Sequence, residues 1–252
     1  MTSKRRALRA ASALACFLLS ACASFGVAPA FQPIDGEKEE MRALVERAIG
    51  EAHVRQTLRA VGKLRVAGPG GSGNVKQVIL VERPARLRLE SLNVLGQAAT
   101  LLVTDGERYS FFDGKTLAGG VVSAEILHDR LGLAFAPAEA AGALLAAPKP
   151  VAWPPRAILA RGAEREVSFA DQTLRFADGG ELAAIESLDA SGGVLWTAEY
   201  ATWRDVPGGR YPFNVVLSFP ETQLRAELEL SAVELNPALD ASLFRVAATA
   251  LP

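Results

Sequence analysis

The sequence predicts a mainly-β fold with helical decoration, built on one antiparallel sheet of about ten strands. Three observations predict it. From residue 57 onward apolar and polar residues alternate with a period of two, the mark of strands with one solvated face. Turn signals cut that stretch into short runs: "GPGGSG" at 68–73, Asp105-Gly106, Asp113-Gly114, Asp178-Gly179-Gly180, Ser191-Gly192-Gly193 and Pro207-Gly208-Gly209. Two segments with helical period, one ahead of the first strand and one mid-chain, can cover the apolar side. A sheet this wide with one greasy face must curl or be covered.

The amino terminus precedes the fold. Lys4, Arg5, Arg6 and Arg9 lead an apolar run over residues 10–19 that is too short to span a bilayer, which takes about 20 residues. Cys16 and Cys22 are the chain's two cysteines, so no disulfide framework can serve the folded body. Leu19-Ser20-Ala21-Cys22 resembles the bacterial lipobox, which implies cleavage after residue 21 and lipidation of Cys22; a plain secretory signal is the other reading. Two or more acyl chains anchor firmly where one does not. Ala23, in place of Asp, points by the same resemblance to the outer membrane, with the body on its periplasmic face. The expected organisation is a signal peptide over 1–21, a lipidated tether over 22–36 and a single domain over 37–252. Four of the 27 Lys and Arg fall in the signal, leaving 23 against 28 Asp and Glu. That acidic balance argues against nucleic acid as a partner.

Within the body, Met41, Leu44, Val45, Ala48 and Ile49 follow helical spacing. Glu37, Glu39 and Glu40 crowd the first turn, where the helix dipole favours them. The acidic polar face suits a helix covering a sheet; a membrane-surface helix is the alternative. Leu58, Ala60, Gly62, Leu64 and Val66 then alternate with Arg59, Lys63 and Arg65, and Leu87 and Leu89 with Arg86, Arg88 and Glu90. Between about 123 and 146 the spacing of Ile126, Leu127 and Leu131 is helical, and Pro137 opens a second helix, "PAEAAGALLAA". Strands resume near residue 165. Phe213, Val215, Leu217 and Phe219 share one face, as do Leu224, Ala226, Leu228 and Leu230.

The run "RPARLRLESLNVLGQAATLLVTDGERYSFFDG" (83–114) and the ending "LNPALDASLFRV" (235–246) resemble the LolA/LolB-like outer-membrane lipoproteins of the lipoprotein-localisation superfamily. The order lipobox, helix, meander, helical insertion, meander is similar too. The resemblance implies a strongly curved half-barrel whose concave face is covered by helices and holds lipid or lipoprotein acyl chains. It further implies delivery from a periplasmic lipoprotein carrier, and an apolar turn (Leu92, Val94 and Leu95, with Leu95 the best match) that touches the membrane. Those three residues entering the core at a strand end is the other reading.

On that footing the cavity candidates are Leu87, Leu89, Leu101, Val103, Phe111, Phe213, Val215 and Leu217, with Ile126, Leu127 and Leu131 as the lid. Alternation alone leaves open which strand face is concave. No catalytic residue, metal site or cofactor is expected. His53 and His128 have no cysteine to join, there is no Gly-x-Ser-x-Gly, and "GPGGSG" lacks the Lys-Ser/Thr of a phosphate loop. Trp153, Trp196, Tyr200 and Trp203 read as core or cavity wall, or as sugar-stacking surface. The rival to an acyl carrier is a non-carrier envelope-assembly module of the same fold.

Overall fold

Alternating residues do become strands, and the helical insertion lies between two runs of them. The structure, a computed structural model, describes residues 29–34, 36, 38–93, 95–131 and 135–245. The segment 1–21, Cys22 and Val94 lie outside the described residues, as does the side chain of Leu131. A two-residue strand β1 (Gln32–Pro33) precedes helix α1 (Lys38–Val54). The first meander is β2 (Thr57–Gly68), β3 (Gly71–Glu82), β4 (Arg86–Leu92), β5 (Ala98–Thr104), β6 (Arg108–Phe112) and β7 (Leu117–Val121). Helices α2 (Ala124–Leu131) and α3 (Pro137–Leu144) follow. The second meander is β8 (Ala157–Arg161), β9 (Glu164–Ser168), β10 (Gln172–Phe176), β11 (Leu182–Leu188), β12 (Val194–Val206), β13 (Gly209–Phe219) and β14 (Leu224–Leu235). A 3-10 turn at Ala241–Phe244 comes last.

All fourteen described strands join one antiparallel sheet, in the order β1-β8-β9-β10-β11-β12-β13-β14-β2-β3-β4-β5-β6-β7. It is a curved half-barrel: β1 and β7 are its two edges, and β14 pairs with β2 to fuse the two meanders. About ten strands were expected. The additional ones are short, such as "LAGGV" in β7 and "AILAR" in β8, where five residues or fewer leave alternation too little length to register. The seam between β14 and β2 is tight. A Cβ on Gly62 would stand 2.5 Å from the Glu229 carbonyl oxygen and 2.8 Å from the Leu230 Cα, so only glycine admits this approach.

Two cores flank the sheet. On the concave side α1 buries Met41, Val45, Ala48 and Ala52, which makes it a cover for the sheet, and α2 and α3 bury Leu127, Ala140, Ala141, Ala143 and Leu144. On the convex side Leu80, Leu101, Val103 and Phe112 form a separate cluster capped by Phe244, Leu239 and Leu243 of the C-terminal segment. The rest of the convex face is charged: Arg65 lies 3.2 Å from Glu229 and 3.6 Å from Glu227, and Arg175 lies 3.1 Å from Glu186. Such pairs are worth at most about 1 kcal/mol each; they keep that face wet.

Candidate functional site

Antiparallel register arranges the concave face of β3–β6 in rows. Val81, Leu87, Thr104 and Tyr109 form one, and Ile79, Leu89, Leu102 and Phe111 the next. Gln77, Ser91 and Thr100 form the row nearest the β4–β5 turn. Successive rows are about 7 Å apart, two residues of strand rise. Across the seam, Leu64 and Val66 of β2 stand opposite Leu228 and Ala226 of β14, and Ala226 stands opposite Leu217 of β13.

These walls enclose a cavity of about 150 Å³ whose roof is Leu127, Phe135, Ala140 and Leu144. No charged side chain lines it, and the polar lining is Gln77, Ser91 and Thr100. A space of that size takes a group as large as benzene. Several wall residues toward the turn end, Leu64, Val66, Leu89, Phe111 and Leu224 among them, are half-buried. The mouth is therefore at the end of the sheet carrying the β2–β3, β4–β5 and β13–β14 turns.

The roof is pinned at α3. An α-helix leaves its last carbonyls without intrahelical partners, and here the sheet and Arg55, the residue that follows α1, supply donors to four carbonyls in succession. Tyr200 Oη donates to the Ala143 carbonyl at 2.8 Å, and Tyr211 Oη donates to the Leu144 carbonyl. Arg55 Nη1 donates to the carbonyls of Leu145 (3.3 Å) and Ala146 (3.0 Å). Burial pushes both phenols up, so they remain protonated donors. Desolvation pulls the Arg55 pKa down, with Glu51 at 3.3 Å opposing it. A cation at a helix C-terminus also suits the dipole. Beyond the helix, Gln172 clasps Lys149, donating to its carbonyl at 2.7 Å and accepting from its N–H at 3.1 Å. At the other end of α3, Glu139 accepts from the Ala136 N–H at 3.1 Å. Facing away from the mouth, Arg47 donates to the Gly180 carbonyl at 2.6 Å, tying α1 to the β10–β11 turn, and Arg210 of β13 pairs with Glu181 of the same turn.

Of the eight cavity candidates, Leu87, Leu89, Phe111 and Leu217 line this space. Phe213 and Val215 are buried in the same concave core but away from the cavity. Leu101 and Val103 are corrected: they point to the convex face, beneath Phe244. Strand β5 reads "AATLLVT", apolar on both sides, so its parity is hidden, and Leu102 is the residue that faces inward. In the lid, Leu127 seats in the cavity and Ile126 packs half-buried against the core. Leu95 projects into solvent, 78% exposed, from a turn built by Asn93, whose Oδ1 accepts from the N–H of Leu95 (2.9 Å) and of Gln97 (3.0 Å). Leu92 is half-buried. Trp196 and Tyr200 are buried, and Trp153 and Trp203 pack against the core.

Sequence reasoning missed Phe135, which packs edge-on to Trp196 and Phe219, the residues Arg55 and Tyr211, and the pinning role of Tyr200, which it had placed only in the core or cavity wall. Nothing local marks them, since their partners lie 57 to 91 residues away. Among the described residues no cluster of His, Cys, Asp or Glu is arranged to hold a metal ion.

No protein-family model and no curated protein matches this sequence. Solved structures do. A LolA superfamily protein from Nitrosomonas europaea superposes with a TM-score of 0.52 at 14% identity, over 80% of this chain and 97% of that one. A putative outer membrane lipoprotein-sorting protein domain from Vibrio parahaemolyticus gives 0.50 at 10% identity, over 80% and 94%. A DUF1329 family protein from Desulfovibrio piger gives 0.50 at 9%, over 81% and 96%. At such identities the likeness is one of architecture, and that architecture, fourteen strands curved around a helical plug, is the LolA/LolB-like fold.

Proposed function

We propose that this chain is an outer-membrane lipoprotein, anchored through Cys22 on the periplasmic face, that takes lipid or the acyl chains of other lipoproteins into its half-barrel and helps place them in the membrane. It makes and breaks no covalent bond. The observation that carries the reading is the uncharged cavity between the concave sheet and the α2–α3 roof. Hydrocarbon gains about 25 cal/mol per Å² of area withdrawn from water there, and water gains nothing comparable. Direction supports the same reading. Of the six large aliphatic residues left exposed among the described residues, Leu95, Leu117, Val194 and Leu195 lie at the mouth end of the sheet. A mouth facing a bilayer would bring Leu95 into contact with it. Mass spectrometry of lipid extracted from the natively purified protein tests the proposal: acyl lipid in near-stoichiometric amount supports it, and lipid-free protein that also ignores a fluorescent fatty acid defeats it.

One observation favours the rival, a non-carrier module that docks a partner during envelope assembly. The cavity is far smaller than a full acyl chain, and α3 is held through four carbonyls. Carriage therefore requires the roof to move, and the rival requires it to stay.

A further inference from the structure

The concave wall turns polar near the mouth on β3–β5 and again on β10–β12, while Leu64, Val66 and Leu224 keep it apolar at the seam between them. In the first meander the row nearest the mouth is Gln77, Ser91 and Thr100, and one step inward it becomes aliphatic (Ile79, Leu89, Leu102). In the second meander the row nearest the mouth is Gln172, Ser187 and Trp196, and one step inward it too becomes aliphatic, with Leu174, Ile185 and Ala198. The first row borders the cavity of about 150 Å³ and the second a cavity of about 180 Å³ on the other side of α3. Some of these groups are already engaged. Ser91 Oγ donates to Gln77 Oε1 at 2.8 Å, and Gln172 is spent on Lys149.

Three donors are not engaged. Ser187 Oγ and Trp196 Nε1 are buried, on residues 1% and 4% exposed, and have no hydrogen-bond partner among the described residues. The Thr100 hydroxyl likewise has no side-chain partner there. An indole N–H can only donate, so what completes this collar is an acceptor. It is an uncharged one. A buried carboxylate or phosphate needs a cation; the first cavity has none, and the second is lined by Lys149 together with Glu139, 3.2 Å apart, so that its cation is already paired.

We infer that the mouth carries a collar of neutral donors, centred on Thr100, Ser187 and Trp196, that receives the ester or amide carbonyls of an acylated ligand and so selects acyl esters and amides over free fatty acids. The inference rests on the acyl-binding reading above. Its geometry orients the ligand: carbonyl at the turn end, hydrocarbon directed inward along the aliphatic rows.

The test is displacement of a fluorescent alkyl probe from the purified full-length protein by dodecane, methyl laurate, N-methyl lauramide and laurate, which share one chain length. The ester and the amide should displace the probe at about fivefold to tenfold lower concentration than dodecane or laurate, the yield of one or two neutral hydrogen bonds. In a Thr100→Val, Ser187→Ala, Trp196→Phe variant the ester and the amide should displace the probe at the same concentration as dodecane measured on that variant. If the triple variant does not fold, the Thr100→Val and Ser187→Ala single variants should each remove part of the advantage. Equal displacement by dodecane and the ester in the natural protein overturns the collar alone, as does laurate outcompeting both. Failure of every ligand, dodecane included, overturns the acyl-binding reading beneath it.

Discussion

Replacing Leu127 by alanine separates a movable roof from a permanent one. Leu127 is 1% exposed and seats directly in the cavity beneath α2. Truncating so buried a leucine costs about 3 kcal/mol. If α2 opens to admit an acyl chain, that loss falls on the closed state alone, because an open α2 has already surrendered the contact. At 1.4 kcal/mol per factor of ten, the closed-to-open equilibrium shifts by about a hundredfold, and apparent affinity rises with the competent fraction until the open state dominates. Titration of a fluorescent fatty acid should therefore show binding tightened between about tenfold and a hundredfold. Thermal unfolding should fall by about 6–12 °C over the same substitution, for a domain of this size. Lower thermal stability is expected of either roof, so binding decides. Should Leu127→Ala melt earlier yet bind the probe no more tightly than the natural chain, the roof is ordinary core and acyl carriage through this cavity is refuted.

Three further outcomes are expected. Phe244→Ala, which uncaps the convex cluster over Leu101 and Val103, should cost about 3–5 kcal/mol in denaturant unfolding and leave probe affinity unchanged; a change in affinity would tie the convex cluster to the cavity. The Tyr200→Phe, Tyr211→Phe pair removes two donors from the end of α3 and should lower stability by about 1–3 kcal/mol in chemical denaturation, with probe affinity within about twofold of the natural protein. Glu166 is raised above the ordinary 4.5, first by desolvation and then by Glu186. A carboxyl raised on folding takes up a proton as the chain folds, so its contribution is present at low pH and lost as pH rises through the folded value. Glu166→Gln should thus raise the melting temperature at pH near 8 and change little near pH 4; equal shifts at both would dismiss the desolvation account.

How much of this was legible in the sequence depended on whether the two faces of a strand differ. In β4, "RLRLESL", arginine and glutamate mark the wet side, and Leu87 and Leu89 could be assigned inward without a structure. In β5 nothing marks it, so Leu101 and Val103 were placed on the wrong face. The neutral row at the mouth was hidden for a different reason. Ser91 shares the parity of Leu87 and Leu89, but only register with Gln77 and Thr100 brings the three polar side chains together in the wall. The pinning of α3 was beyond local pattern altogether. A tyrosine that donates to a helix carbonyl 57 residues away looks, in sequence, like any aromatic in a strand.

The two parts of the roof differ in whether hydrocarbon can replace their contacts, and that difference decides which part moves. Leu127 and Ile126 of α2 hold the sheet through apolar surface, and an acyl chain entering the cavity offers the same walls equivalent contact at nearly equal free energy. The carbonyls of Ala143 to Ala146 are held by hydroxyl and guanidinium donors. A hydrocarbon tail cannot satisfy those donors, and each one stranded in an apolar space costs about 1–3 kcal/mol. Lipid can therefore compete with α2 and cannot compete with α3. Hydrogen exchange should follow the same division. In the lipid-free protein, amides of Ala124 to His128 should open with a free energy well below that of global unfolding, and those of Ala140 to Leu145 close to it. Saturating lipid should speed exchange in α2 and leave α3 protected. Uniformly slow exchange across both helices, unaltered by lipid, would mean that no part of the roof yields, and the chain would then be a docking module with a filled core.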